Sequence, residues 1–285
     1  MPKHRAPDIY SRGIELRTMY SALFSLLNRI DSSAVAAAGA IPWGAPVPSF
    51  GDSTVATVAT LGLNPSNREF VDEYGRELDG PSRRFHTLQS LKLKAWADAD
   101  ARHIEMILRS CRSYFEGNPY DRWFKVLDNV LQAANVSYYD GAASACHLDL
   151  IPYATSLKWA ALTTKQRATL LRATADVLGV LIRDSPIRIL VLNGRSVVEH
   201  FEACSGARLQ RKFMDGWTLP RQSGKGVVGI SYRGVLREIA GVPLRHPLTV
   251  LGFNHNLQSS FGVTKVATDA IKKWVARAAK ERALD

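Results

Sequence analysis

The sequence predicts an α/β protein, a three-layer α/β/α sandwich built on a central, mostly parallel sheet of four strands. Two observations lead to this prediction. Short apolar runs typical of buried strands recur along the 285 residues, and segments with helical spacing of apolar residues separate them. Because parallel strands need crossover connections, strands that alternate with helices indicate a mostly parallel sheet covered on both faces.

The individual strands and helices are predicted in chain order. Leu16, Leu23 and Leu27 share one face of an opening helix, and a loop rich in Pro and Gly leads to a strand at Val55–Gly62. Helical periodicity follows around 104–108 and at 121–136. The later predicted elements are a strand at 143–153, a helix at 163–184, a strand at 187–194 followed by a helix, a hairpin at 226–236, a strand at 248–256 and a closing helix at 264–282.

The chain is interpreted as a single domain, 1–285, in which 1–52 form the opening helix and loop and 205–247 form a basic insertion or hairpin. No run of about 18 apolar residues is present, and the first residues lack the apolar core of a signal peptide. A cytoplasmic protein is therefore expected, and we expect it to be a monomer.

Three cysteines, Cys111, Cys146 and Cys204, stand far apart and form no Cys-x-x-Cys pair. This spacing argues against a zinc module, a four-cysteine iron–sulfur cluster and a disulfide framework. We predict buried thiols, and neither a metal nor a cofactor.

Positive charge dominates the sequence, since 37 Lys and Arg against 26 Asp and Glu give a formal net charge of +11. This surplus favours a polyanionic partner such as DNA over a membrane surface, and simple solubility is the alternative explanation. Segment 205–247 concentrates the surplus, because Asp215 and Glu238 are its only acids. Its Lys and Arg residues are Arg208, Arg211, Lys212, Arg221, Lys225, Arg233, Arg237 and Arg245.

Three polar residues follow apolar strands. Asn64 comes just after the first strand, and Pro65 restricts it to an extended conformation. Asp149 and His255 lie at or just past the ends of two later strands. Because ligands of open α/β sheets bind at the carboxyl ends of the strands, these three side chains are predicted to share one crevice.

Three segments around these residues are similar to the motifs of the uracil-DNA glycosylase superfamily: GLNPS at 62–66, HLDLIP at 147–152 and GFNHNLQSS at 252–260. The resemblance covers the chain from about Ser53 to its carboxyl terminus. In the third segment His255-Asn256-Leu257 replaces the family's His-Pro-Ser, so Asn254 could occupy the position assigned to His255.

The resemblance implies hydrolysis of the N-glycosidic bond of a base that is flipped out of the DNA stack. As that bond breaks, positive charge grows on the sugar and negative charge on the base. Asn64 would hold the attacking water, and His255 would donate a hydrogen bond to O2 of the departing base. The alternatives are an Asn that caps a turn and a His that caps a helix or contacts phosphate.

Asp149 takes the position at which several uracil enzymes carry an Asn. An ionised carboxylate only accepts hydrogen bonds, so it would repel O4 of uracil and accept from the exocyclic amine of cytosine. Ser66 stands where the family's uracil enzymes carry a bulky Tyr, and its small side chain leaves space at C5 of the base. Together the two residues indicate a C5-modified cytosine, with a turn or cap role for Asp149 as the alternative.

The remaining site residues are predicted from less specific signals. Phe85, with Phe70 as second choice, would stack on the flipped base, and a place in the core is the alternative for both. Segment 205–247 would contact DNA or the substituent at C5, or remain a solvated flap. Contacts to DNA phosphates are predicted for Arg83, Arg84, Asn256, Ser259 and Ser260.

The predicted function is that of a monofunctional DNA glycosylase that acts on double- or single-stranded DNA. A C5-modified cytosine such as hydroxymethylcytosine or its glucosylated form is the favoured base, and anti-phage defence is the favoured role. A uracil-DNA glycosylase of base-excision repair and a DNA-binding relative without catalysis are the alternatives. No predicted strand is followed by Gly-x-Gly-x-x-Gly and a helix, which disfavours a nucleotide-binding Rossmann domain.

Overall fold

The computed structural model describes residues 9–139, 145–221, 224, 226–258, 260 and 262–283, with side chains within 19–281. The strands in this part of the chain are β1 (Val58–Gly62), β2 (Ala145–Asp149), β3 (Ile189–Asn193), β4 (Gln210–Leu219), β5 (Val227–Ile239) and β6 (Val242–Phe253). The helices are α1 (Ile9–Ile30), α2 (Ser33–Ala37), α3 (Leu88–Leu91), α4 (Ala101–Arg112), α5 (Asp121–Leu131), α6 (Thr164–Arg183), α7 (Arg195–Ser205) and α8 (Lys265–Ala283).

The described strands form one mixed sheet in the order β2-β1-β3-β6-β5-β4. Strands β2, β1, β3 and β6 are parallel neighbours, whereas β5 pairs antiparallel with both β6 and β4. The predicted α/β class and the parallel centre of the sheet are confirmed. The prediction of a four-stranded sheet is wrong, because the sheet has six strands.

The additional strands come from the segment that the sequence predicts as a basic insertion or hairpin. Strand β5 contains most of the predicted hairpin, and β6 begins at Val242, well before the predicted start at 248. Strand β4 lies at the edge of the sheet, and its residues from Gln210 to Phe213 are all exposed. It therefore lacks the alternation of apolar and polar residues by which a half-buried strand is recognised.

Helices cover both faces of the sheet. On one face, Leu127 of α5 and Ile271 of α8 belong to the same buried cluster as Val191 of β3. On the other face, Val198 of α7 packs in a cluster with Leu190 of β3. Consecutive residues of one strand thus serve opposite faces, as the pleat of a strand requires. This arrangement is consistent with a three-layer α/β/α fold.

The antiparallel strands are attached to the closing helix. Trp217 of β4 is buried and meets Trp274 of α8 edge-on, with ring centroids 5.4 Å apart. Arg233 of β5 forms an ion pair with Glu281 of α8 at 2.9 Å. Among the helices of the described residues, none combines the length and apolar character needed to span a bilayer.

Candidate active site

The carboxyl ends of the parallel strands bring several polar residues to one edge of the sheet. Gly62, the last residue of β1, pairs in register with Asp149, the last residue of β2. Asn193 is the last residue of β3, between β1 and β6. Asn64 and His255 each follow the end of a strand, β1 and β6 respectively, by two residues. The backbone therefore brings the three residues predicted to share a crevice to the same edge.

Asn64 is half-buried, and the chain around it orients its amide. Its Nδ2 donates to the carbonyl oxygen of Pro65 and to Oγ1 of Thr155, each at 3.0 Å. Thr155 in turn donates to the carbonyl oxygen of Leu157 at 2.7 Å. With both amide protons engaged, Oδ1 is the atom that Asn64 offers to a ligand, and it can only accept hydrogen bonds.

An open pocket of about 450 Å³ begins at Asn64. Its walls include the loop 155–159, from which Leu157 projects with 53% of its surface exposed. Arg68 and Lys158 give the pocket a positive lining, and its volume lies in the range of small-ligand sites. Asp149 is not among the residues that line this pocket, so Asn64 and Asp149 share the sheet edge without sharing this cavity.

Ser66 is exposed and lines the same pocket. Its Oγ accepts a hydrogen bond from the backbone nitrogen of Arg68 at 3.2 Å, which caps a short 3-10 turn (Asn67–Glu69). The small side chain keeps the pocket open on the side of Asn64. Space beside C5 of a base remains a prediction.

Asp149 is only 7% exposed, and a glycine on the neighbouring strand makes room for it. A Cβ atom at Gly62 would lie 2.3 Å from Oδ1 of Asp149 and 2.8 Å from Nε2 of His147. Both distances are too short for a side chain, so glycine is needed for this close approach. In the pattern Gly-x-Asn-Pro, the glycine thus makes room for Asp149, and the Asn is Asn64 itself.

Asp149 stands at the end of a chain of buried polar side chains. Its Oδ1 lies 3.4 Å from Nε2 of His147, and Nδ1 of His147 lies 2.6 Å from Oγ1 of Thr60. The same Oγ1 lies 2.5 Å from the hydroxyl of Tyr138. No role was predicted for His147, Thr60 or Tyr138 from the sequence. The repeated spacing in Thr60-x-Gly62 and His147-x-Asp149, on two strands of the predicted sheet, is the signal that could have found two of them.

Glu69 is a second buried carboxyl, and the sequence analysis missed it too. It is 4% exposed, and the hydroxyl of Tyr114 donates to its two oxygens at 3.0 and 3.1 Å. Burial raises the pKa of Glu69 to about 7, and the charge of Asp149 adds to the rise, while Arg84 at 3.7 Å and Tyr114 oppose it. Nothing in Ser-Asn-Arg-Glu marks this residue as buried, because its burial depends on the fold of the turn.

His255 is 2% exposed, and its ring is engaged with the antiparallel part of the sheet. Nε2 lies 2.7 Å from the carbonyl oxygen of Trp217 and therefore carries the proton, since a carbonyl oxygen only accepts. Burial lowers the pKa of His255, the Trp217 carbonyl raises it, and nearby Arg221 lowers it. The predicted donation to O2 of a departing base is not supported, because this proton is used within the protein.

Asn254, the alternative residue of the third motif, continues the pairing of β6 with β5. Its Oδ1 accepts from the backbone nitrogen of Ile230 at 2.8 Å, and its Nδ2 donates to the carbonyl oxygen of Val228 at 2.8 Å. Both ends of this amide hold two strands together. Asn254 therefore has a structural role in this arrangement.

Two further amides at the edge were not predicted. Oδ1 of Asn193 accepts from the backbone nitrogen of Leu257 at 3.1 Å, and its Nδ2 donates to Oε1 of Gln258. These bonds fix the loop of the third motif to β3. The available signal was the polar residue that ends an apolar strand in Val-Leu-Asn-Gly.

Phe85 and Phe70 both lie in the buried core. Phe85 stacks on Tyr114 with ring centroids 5.2 Å apart and planes within 9°, and Phe70 packs at a tilt against Phe85 at 5.8 Å. Both residues therefore take the alternative role considered for them, a place in the core. The predicted stacking platform for a base is not supported, since other rings already pack against them.

Arg83 and Arg84 line a second open pocket of about 370 Å³, together with Arg109. Arg84 is tied to the backbone, because its Nε donates to the carbonyl oxygen of Asn118 at 2.6 Å and its Nη1 donates to that of Arg68 at 2.9 Å. Its role is therefore at least partly structural. Phosphate contacts by Arg83 and Arg84 remain predictions.

The loop of the third motif contains the other predicted phosphate contacts. Asn256 and Ser260 are half-buried, and the backbone nitrogen of Ser260 donates to the carbonyl oxygen of Asn256 at 2.8 Å. Oδ1 of Asn256 accepts from the backbone nitrogen of Gln258 at 3.0 Å. Ser259 lies outside the described residues. The loop is thus folded into a turn, and its contacts to DNA remain predictions.

Several charges of the basic segment 205–247 are paired with acids outside it. Arg211 binds Glu202 at 2.9 Å, and Arg245 binds Asp184 at 2.7 Å. Lys225 lies outside the described residues. These pairs reduce the positive charge that this part of the sheet offers to a polyanion, and contact of the segment with DNA remains a prediction.

Within the described residues, no group of three or more His, Cys, Asp or Glu is arranged to hold a metal ion. Cys111 and Cys146 are buried as predicted, and Cys204 is half-buried. Burial raises the pKa of each thiol, which disfavours a reactive thiolate.

No protein-family model matches this sequence, and a search of curated protein sequences gives no match either. What supports a function is therefore the arrangement of the side chains at the carboxyl edge of the sheet.

Proposed function

We propose that this protein is a DNA glycosylase that hydrolyses the N-glycosidic bond of a C5-modified cytosine flipped out of DNA. The observation that supports this proposal most directly is the pairing of two acceptors on adjacent strands. Asn64 follows β1 with an oriented amide, and Asp149 ends β2 with a buried carboxylate. Asn64 can accept a hydrogen bond from a water molecule, and Asp149 can accept one from the amine of a base.

Asp149 gives the proposal its substrate class. An ionised carboxylate accepts a hydrogen bond from the exocyclic amine of cytosine and repels the C4 carbonyl of uracil. When the wrong substrate binds, a buried polar group of the site is left without a hydrogen-bond partner. The site therefore discriminates strongly against that substrate. The base preference of a site built on Asp149 is therefore for cytosine over uracil.

Asn64 has the geometry to orient the attacking water. Its Nδ2 is held by the Pro65 carbonyl and by Thr155, so Oδ1 can accept a hydrogen bond from the water and direct a lone pair of that water toward the sugar. A neutral amide does not deprotonate water. It need not, because the sugar carries positive charge as the base departs and is a strong electrophile.

Departure of the base needs a different donor from the one the sequence predicted, because Nε2 of His255 is engaged with Trp217. Cytosine leaves more readily when it is protonated. Glu69 directly follows Arg68, which lines the Asn64 pocket, and burial raises its pKa to about 7, so a large fraction of it is protonated just below neutral pH. Glu69 is our candidate for the acid that supplies this proton.

The test is base release from matched oligonucleotides that contain uracil, cytosine, hydroxymethylcytosine or glucosylated hydroxymethylcytosine, with abasic sites detected by alkaline cleavage. Wild type is expected to release a cytosine derivative. Asp149→Asn is expected to lose that release by roughly 10-fold or more and to gain relative activity on uracil, because an amide can donate to O4.

The matched control is Asp184→Asn, because Asp184 is equally buried but lies at the end of α6 and pairs with Arg183 and Arg245. Its base preference should stay that of wild type. Release of uracil alone by wild type would contradict the cytosine assignment and favour a repair enzyme.

Lys158, exposed at the mouth of the Asn64 pocket, is expected to contact a DNA phosphate. Lys158→Ala should weaken binding to every sequence by a similar factor and reduce the slope of log affinity against log salt by about one. Fluorescence anisotropy at several salt concentrations measures both quantities. Lys280→Ala, on the exposed face of the last turn of α8, is the control, and an equal effect of the two variants would refute a local contact.

A DNA-binding protein without catalysis is the second candidate, and the engagement of His255 with the Trp217 carbonyl favours it. The oligonucleotide assay separates the two candidates. Tight DNA binding without release of any of the four bases would favour the non-catalytic candidate.

A further inference from the structure

We propose that the buried chain of Tyr138, Thr60 and His147 holds Asp149 as an oriented hydrogen-bond acceptor, and that His147 is thereby a positioning residue that sets the base preference. The inference rests on the proposed function, and it adds to it the reason why Asp149 prefers an exocyclic amine. The distances along the chain are 2.5, 2.6 and 3.4 Å, in order from Tyr138 to Asp149.

The proposal gives the hydrogen bonds of this chain a direction. Tyr138 is fully buried, and burial raises its pKa, so its hydroxyl keeps its proton. In the proposed arrangement that hydroxyl donates to Oγ1 of Thr60, and the hydroxyl of Thr60 donates to Nδ1 of His147. With Nδ1 accepting, the ring carries its proton on Nε2, which faces Oδ1 of Asp149.

The last part of this hydrogen-bonded chain is built on two paired strands of the sheet. Thr60 and His147 are directly paired across β1 and β2, two residues before the paired Gly62 and Asp149. All four positions lie in the paired parallel strands β1 and β2, and such strands fix the separation and direction of their side chains. The geometry is thus set by strand register rather than by a flexible loop.

Aromatic rings enclose His147 and keep water away from it. The rings of Phe50, Trp123 and Phe124 meet the imidazole edge-on at centroid distances of 5.4, 5.1 and 5.4 Å. In such a dry environment an unmatched hydrogen bond is costly, so the ring has little freedom to change the nitrogen that carries its proton.

The direction of the hydrogen bonds along this chain determines which group of a base Asp149 can recognise. A proton on Nε2 of His147 faces Oδ1 of Asp149 and leaves Oδ2 to accept from a base. If the proton moved to Nδ1, the lone pair of Nε2 would face Oδ1, and Asp149 would have to take up a proton or turn away. A protonated Asp149 can donate to O4 of uracil, so the preference for cytosine would be lost.

The test compares Thr60→Val, which has nearly the same shape but no hydroxyl, with Thr60→Ser, which keeps the hydroxyl. Single-turnover release is measured on matched oligonucleotides that contain hydroxymethylcytosine or uracil. Thr60→Val is expected to lower the ratio of the two rates roughly 10-fold, the equivalent of about one hydrogen bond. Thr60→Ser should keep the wild-type ratio. An unchanged ratio in Thr60→Val would overturn this inference but not the proposed function.

A second readout does not depend on activity. The ¹⁵N chemical shifts of His147 report which nitrogen carries the proton, and wild type is expected to show the Nε2-protonated form. A wild type that is protonated at Nδ1 would overturn the inference even if the variants do not fold. Failure of wild type to release any base would overturn the proposed function together with this inference.

Discussion

Gly62→Ala is expected to reduce base release at least 100-fold while the protein remains folded. The new Cβ would lie 2.3 Å from Oδ1 of Asp149 and 2.8 Å from Nε2 of His147, so the carboxylate must move. Displacement of a reacting group by about 1 Å costs on the order of 100-fold in rate. The backbone itself tolerates alanine, because Gly62 lies within the regular strand β1.

The control for a new methyl group in the sheet is Gly234→Ala. Gly234 lies in β5, and its Cβ would meet the flexible end of Leu209 at 2.7 Å, away from the strand ends that carry the site. Both variants should unfold cooperatively on heating. Only Gly62→Ala should lose base release, and wild-type activity in that variant would show that the position of the Asp149 carboxylate does not control the reaction.

Glu69→Gln is expected to remove a large pH dependence of stability. The pKa of Glu69 is about 7 in the folded protein and 4.5 ordinarily, so between these values the folded state holds a proton that the unfolded state releases. The free energy of unfolding of wild type therefore falls as pH rises through this window. The difference amounts to roughly 3 kcal/mol, fully present below pH 4.5 and lost above pH 7.

Urea denaturation of wild type and Glu69→Gln across this pH range measures the effect as the difference between the two curves. Tyr114→Phe is the informative companion, because the Tyr114 hydroxyl favours the ionised carboxylate. Its removal should move the window to higher pH. Parallel curves for wild type and Glu69→Gln would rule out a raised pKa at this residue.

The parallel centre of the sheet could be predicted because its strands are short, apolar and bounded by polar residues. The first strand was predicted at Val55–Gly62 and is observed at Val58–Gly62, and the helix predicted at 163–184 is observed at Thr164–Arg183. Strand β4 escaped prediction, since Arg211 and Lys212 face solvent at the sheet edge and carry no apolar pattern.

The candidate site was predictable where a single position carries the signal. Asn64 and Asp149 lie at the ends of strands, and their residue types determine which hydrogen bonds they can accept. The partners of the site depend on register, which one sequence does not display: Thr60 meets His147 only because β1 and β2 pair as they do. His255 was assigned a donor role because its partner, the Trp217 carbonyl, belongs to the strand that was not foreseen.

The central place of β1 in the sheet has a consequence for how the chain folds. Val58 pairs with Ala145 on one side and with Ile189 on the other, so both partners of β1 are synthesised long after it. Until then β1 is an apolar segment with both backbone edges unpaired, which is a template for intermolecular association. The strand that carries the site is thus the part of the nascent chain that most needs protection before its neighbours arrive.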